Sequence, residues 1–168
     1  MDVNRKILIA VDDSEVSHRA VAYVAEIIGR RRGFQVYLFH VLPSLPPSLL
    51  EHGGSENPDV EKEIEAQIRD KQADWLEQAK RASQPMMDRA KAILRNAGVP
   101  AGAISSQFYV PVGGENMVSD ILLQAKEDHL DTIVVGRETF AGLQRVFRHH
   151  VADDLIRRGH NHTIWVVE

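Results

Sequence analysis

Lys6-Ile-Leu-Ile-Ala-Val-Asp-Asp-Ser14 decides how the rest of the chain is read. Five consecutive apolar residues, Ile7 to Val11, precede an acidic pair and a serine. The short length and β-branched content favour strand. The run is continuous rather than alternating, which suits a central strand covered on both faces. Ser14 stands where a helix needs an N-cap, its hydroxyl able to accept from orphan N–H groups. Beyond it, Val16, Ala20, Val21, Val24, Ile27 and Ile28 follow helical spacing. A helix over Ser14 to Arg32 is expected, with Gly33 as its stop.

The same alternation continues down the chain. Gln35 to Val41 forms a second apolar run, ending at Leu42-Pro43. Ile104 to Val110 is a third, more polar and alternating, so it is placed nearer an edge. Asp131 to Gly136 is a fourth and nearly continuous run, and Thr163 to Val167 closes the chain. Helical patterns lie over Glu115 to His129 and Leu143 to Arg158, the latter followed by Gly159. Strands alternating with helices imply right-handed crossovers and a parallel sheet, an α/β fold.

One stretch is longer than the alternation needs. Leu42 to Pro58 is rich in Pro, Ser and Gly and reads as a long loop. Asp59 to Ala97 reads as helix, with a stripe at Val60, Ile64, Ile68, Trp75 and Ala79. A second stripe runs through Met87, Ala90, Ile93, Leu94 and Ala97. One straight helix of that span is about 58 Å long. A compact chain of this size has a radius of gyration near ~15 Å. A break at Ser83-Gln84-Pro85 is therefore expected, since Pro85 lacks a donor and crowds the preceding turn. Asp59 to Ala82 mixes acidic and basic residues and reads as a solvated face, or else a partner surface.

Composition narrows the class. The chain has 168 residues, net charge −4 and no cysteine. That length fits one domain over residues 1–168, able to bury about 70% of its unfolded surface. Without cysteine there is no disulfide framework, thiolate metal site or Cys nucleophile. Mild acidity argues against a nucleic-acid binder, which usually carries a basic face. No apolar run approaches the roughly 20 residues of a membrane helix, and none suits a signal peptide. A cytoplasmic protein without nucleic-acid or membrane partners is expected.

In open parallel sheets, ligands bind beyond the carboxyl ends of the strands, where strand order reverses. The candidates are Ala10 to Ser14, His40-Val41-Leu42, Val110 to Gly114 and Gly136 to Thr139. An Asp after the first strand serves either as helix cap or as ligand contact. The ordered set of motifs resembles the universal stress protein family. Ile7-Leu-Ile-Ala-Val-Asp-Asp-Ser-Glu15 is similar to the family's opening, and His40-Val41 to its second strand end. Val112-Gly113 resembles the third crossover. Val134-Val-Gly-Arg137, Gly142 to Phe147, Val151 to Ile156 and Thr163 to Val167 resemble its C-terminal third. Pro43 to Ala82, a long loop plus extended helix, reads as an insertion. The resemblance implies a three-layer α/β sandwich of the adenine nucleotide alpha hydrolase-like kind. Its five parallel strands would run in the order 3-2-1-4-5. It also implies a homodimer through the last strand, Thr163 to Glu168, an apolar edge that needs a partner on physical grounds as well.

The nucleotide motif departs from that family. ATP-binding members carry Gly, two residues, Gly, nine residues, then Gly-Ser or Gly-Thr. Here Gly136 fills the first position, Thr139 the second, and His149-His150 replaces the final pair. Glycines let phosphate oxygens approach backbone N–H groups at a helix N-terminus. Thr139 adds a Cβ, His149 an imidazole, and the terminal hydroxyl is lost. Ala10, Asp12 and Val41 remain on the adenine side. No resident cofactor is expected, with ATP or AMP the nearest candidates. The expected role is a dimeric stress-response or regulatory module that does not bind ATP in the usual way, with room for a regulatory protein partner.

The alternative is an adenine-nucleotide or small-anion sensor with an altered phosphate turn. Residues 137–150 hold Arg137, Arg145 and Arg148 against Glu138, plus two histidines that titrate near pH 6.5. No catalytic constellation is visible; the family resemblance allows at most slow ATP hydrolysis. Metal ligation by His160 and His162 lacks a locally spaced carboxylate, so no metal is expected. Phe34 and Phe39 read as core. Trp75 reads as core or partner-facing packing, and Trp165 as core or dimer contact.

Overall fold

The computed structural model describes residues 5–50, 57–111, 117–137 and 150–168. Among the described residues, nine main elements alternate: β1 (Lys6–Ala10), α1 (Glu15–Ile28), β2 (Gln35–Val41), α2 (Pro58–Asn96), β3 (Ile104–Tyr109), α3 (Met117–Glu127), β4 (Thr132–Gly136), α4 (His150–Arg158) and β5 (Thr163–Val167). All strand pairings are parallel and the order is β3-β2-β1-β4-β5. The sequence-expected order is met, with the polar third strand at an edge and the two continuous runs inside.

The apolar run of β1 is explained by its position. Ile7 and Ile9 point to one face, where they pack with Val36, Leu38 and Val134 against α1 and α2. Leu8 points to the other and joins Phe39, Ile133 and Val135 against α3 and α4. Both faces are covered, so the buried positions Ile7 to Ile9 leave no place for a polar residue. Phe39 is buried as core, as its sequence position suggested. No helix of the described residues is long and apolar enough to cross a membrane.

α1 begins as expected: Ser14 is extended and its hydroxyl accepts from the Ser17 N–H. It ends earlier than expected, at Ile28. Gly29 is where the end of α2 crosses, with the Ala97 carbonyl occupying the space a Cβ would need. Gly33 instead sits in the following turn with φ +86°. The N-terminal part of the expected Leu143–Arg158 helix lies outside the described residues, as does residue 115–116 of the preceding one.

The expected break in the long helix is absent. α2 runs unbroken for 39 residues with Pro85 inside it. Pro85 and Arg81, whose carbonyl loses its partner, are both exposed, so water can satisfy what the proline frees. The surplus length is carried as exposed helix. Only Met86, Met87, Ala90 and Leu94 of α2 are buried; Ile64, Ile68, Trp75 and Ala79 form a half-buried stripe. A 3₁₀ turn at Pro47–Leu49 lies against this stretch, and Gln72 donates to the Leu49 carbonyl at 2.7 Å.

Candidate functional site

Strand order reverses at β1, which has β2 on one side and β4 on the other. The turns leaving β1 and β4 therefore flank the crevice where such sheets take ligands. Ala10, Asp12, Val41, Gly136 and Arg137 all lie at this carboxyl end. Thr139 and His149 lie outside the described residues. His150 opens α4, and its side chain is not described.

Asp12 is built into the start of α1. Its Oδ1 accepts from the Ser14 N–H at 2.9 Å and from the Ser14 hydroxyl, while its own N–H donates to Ser17 Oγ at 2.9 Å. This is an Asx-type turn, the short polar side chain replacing a backbone turn bond. Asp12 thus braces the turn that leads into the Ser14 cap of α1. Asp13, next in sequence, turns outward and pairs with Arg89 of α2 at 2.7 Å.

Gly136 is needed for packing. A Cβ there would lie 2.9 Å from the Val16 carbonyl and 3.0 Å from the Ser17 nitrogen. The first turn of α1 rests directly on the end of β4. Ala10 pairs with Phe39 at the end of β1, and Val41 with Tyr109 at the end of β2; both are half-buried.

Arg137 continues the β4–β5 ladder, its N–H donating to the Val167 carbonyl at 2.7 Å. Its guanidinium lies 3.8 Å from Asp153 Oδ1 and 3.5 Å from Glu168 Oε1. The cationic turn read over residues 137–150 is therefore offset at Arg137 by two carboxylates. Both lie beyond that stretch of sequence, one on α4 and one after β5, so a local charge count cannot include them.

His40 is a feature that the sequence marked only as part of a strand end. Its Nδ1 lies 2.7 Å from the Val11 carbonyl and its Nε2 3.1 Å from Ser83 Oγ. Its ring meets Phe108 edge-on at 6.0 Å. It ties the end of β1 to α2 beside the crevice. A lone histidine at a strand end carries no sequence signal for that bridge, because Ser83 lies on α2, 43 residues away in sequence. Among the described residues, no group of three or more His, Asp or Glu is placed to hold a metal ion.

Comparison with family models places residues 4–167 in one match, described as the universal stress protein family. The chain belongs to the universal stress protein family. A comparison with curated proteins gave no match. Among solved structures, the hypothetical protein MJ0577 is 20% identical, with 97% of this chain and 94% of that one covered at TM-score 0.62. A universal stress protein from Archaeoglobus fulgidus in complex with dAMP is 22% identical, covering 99% and 100% at TM-score 0.54. A universal stress protein in complex with cAMP is 16% identical, covering 98% and 97% at TM-score 0.61. At these identities the likeness is one of fold, a universal stress protein sandwich with the 3-2-1-4-5 sheet.

Proposed function

We propose that this universal stress protein is a regulatory module of the stress response that does not bind ATP in the family's usual way. The observation carrying this reading is the phosphate turn. One of the four motif positions survives, Gly136, and the space a Cβ would need there is filled by the first turn of α1. Arg137, beside it, faces Asp153 and Glu168. Removing the glycines and the terminal hydroxyl takes away the backbone cradle that holds phosphates at a helix N-terminus. The protein acts as a single cytoplasmic domain and as a homodimer through Thr163 to Glu168. An apolar edge strand with no outer strand partner among the described residues supports the second point.

Its test is reconstruction of the motif. Thr139→Gly, His149→Gly and His150→Ser together are expected to create Mg-dependent ATP binding at the crevice beyond the strands' carboxyl ends, where the parent chain has none. A triple variant that gains none means that the motif is not what excludes ATP.

A second reading is favoured by the ligands of two fold relatives, dAMP and cAMP, each with one phosphorus. On that reading Asp12 and Val41 keep an adenine side while His149 and His150 meet a single phosphate. It predicts tighter AMP or phosphate binding at pH 6 than at pH 8, since imidazoles titrate between them. Equal affinity at the two pH values removes it.

A further inference from the structure

At the opposite end of the sheet, the turn from α1 to β2 and the turn from α2 to β3 enclose an open cleft of about 600 Å³. It is lined by Arg30, Arg31, Arg32, Phe34, Gly102 and Ala103, among others. Among the described residues, its lining carries three arginines and no carboxylate, in a chain whose net charge is −4. We propose that this cleft is a binding site for a polyphosphate group, separate from the crevice at the strands' carboxyl ends and independent of the reading given for it.

The charge exceeds what local structure calls for. α1 and α2 both end here, at Ile28 and Asn96, each with about half a negative charge from its dipole. Arg95, in the last turn of α2, and one arginine after α1 would offset both. The arginines supply more. Arg30, Arg31 and Arg32 are all exposed, and none pairs with a carboxylate among the described residues. Glu26 stands one turn before Arg30 on α1 and is the nearest acid along that helix. Arg5 adds a fourth guanidinium at the rim. It is held in place by donating to the Arg32 carbonyl at 2.9 Å and by lying 5.8 Å over the Phe34 ring.

Guanidinium groups present paired donors that match phosphate oxygens, so three on consecutive residues suit linked phosphates better than a single one. The turn that carries them is set by Gly33, at φ +86°, while the facing turn is set by Gly98, at φ +101°. Neither glycine accepts a side chain without strain. Gly102 does: a Cβ on it meets nothing within 4 Å. A side chain there enters the cleft without disturbing the fold.

Titration calorimetry with inorganic tripolyphosphate tests the site. The intact chain is expected to bind saturably. Gly102→Glu, and separately Arg31→Gln with Arg32→Gln, are expected to lose at least about tenfold in affinity, while Gly102→Ala keeps it. Arg69→Gln, on an exposed part of α2, removes one unit of charge as Gly102→Glu does and should change affinity less than about twofold. No saturable binding by the intact chain overturns the proposal. So does an unchanged Gly102→Glu variant, or an Arg69→Gln loss as large as that of Gly102→Glu. ATP should bind this cleft like tripolyphosphate, and adenosine should not compete; competition by adenosine contradicts a polyphosphate site. ATP binding that Gly102→Glu leaves at full affinity belongs to the strands' carboxyl end, which keeps the two sites distinguishable.

Discussion

Gly136 has a role that is steric before it is chemical. Its hydrogen leaves room for the Val16 and Ser17 backbone to lie on the end of β4. Gly136→Ala should therefore destabilise the protein by about 1–3 kcal/mol, because the atoms it meets are backbone and cannot swing away. Urea denaturation checks this, and an unchanged midpoint would refute the close packing. The glycine itself was legible in sequence, as part of a motif. Its contact was not, since α1 reaches it across more than a hundred residues of chain. Arg137 teaches the same lesson: the residue was visible, but the carboxylates that face it come from α4 and the chain end. Asp12 was readable either as cap or as contact, and the paired bonds from Ser14, which show it bracing the turn before the cap, have no signature in sequence.

At the scale of elements, the strands were the most legible part. Both faces of β1 and β4 are covered, and that burial writes a continuous apolar run into the sequence. The long helix was the least legible. A proline at Pro85 and a length beyond the body both argue for a break, yet α2 continues. A local rule about proline assumes a buried or paired carbonyl, whereas here Arg81, which carries the freed carbonyl, is exposed. Pro85→Ala restores the missing N–H on an exposed face and should stabilise the protein by up to about 3 kcal/mol. Thermal unfolding reads that directly. A loss of stability would mean that the proline holds a bend on which the packing of Met86 and Met87 depends.

For the whole molecule, the proposed dimer rests on the outer edge of β5, which pairs with no strand among the described residues. Thr163 N–H and the Val167 carbonyl both bond toward β4. The alternation of a parallel ladder then turns the N–H groups of Ile164 and Val166 outward. Their side chains pack on the α3–α4 face, so a charge placed there would damage the core as well as an interface. Val166→Pro is the cleaner change, removing one outward N–H while leaving the β4 ladder whole. Sedimentation should show a dimer converted to monomer. A parent chain that is already monomeric, or a proline variant that stays dimeric, rules out pairing through β5.

The central claim is that an altered phosphate turn keeps ATP from the crevice between the β1 and β4 ends. The direct measurement is a calorimetric titration of Mg-ATP into chains carrying Gly102→Glu with Arg31→Gln and Arg32→Gln, at concentrations where the arginine cleft of that background gives no signal with tripolyphosphate. One chain is otherwise unchanged; the other also carries Thr139→Gly, His149→Gly and His150→Ser. The account predicts no saturable binding in the first and saturable binding in the second. Mg-dependent, submillimolar ATP affinity in the otherwise unchanged chain would contradict it.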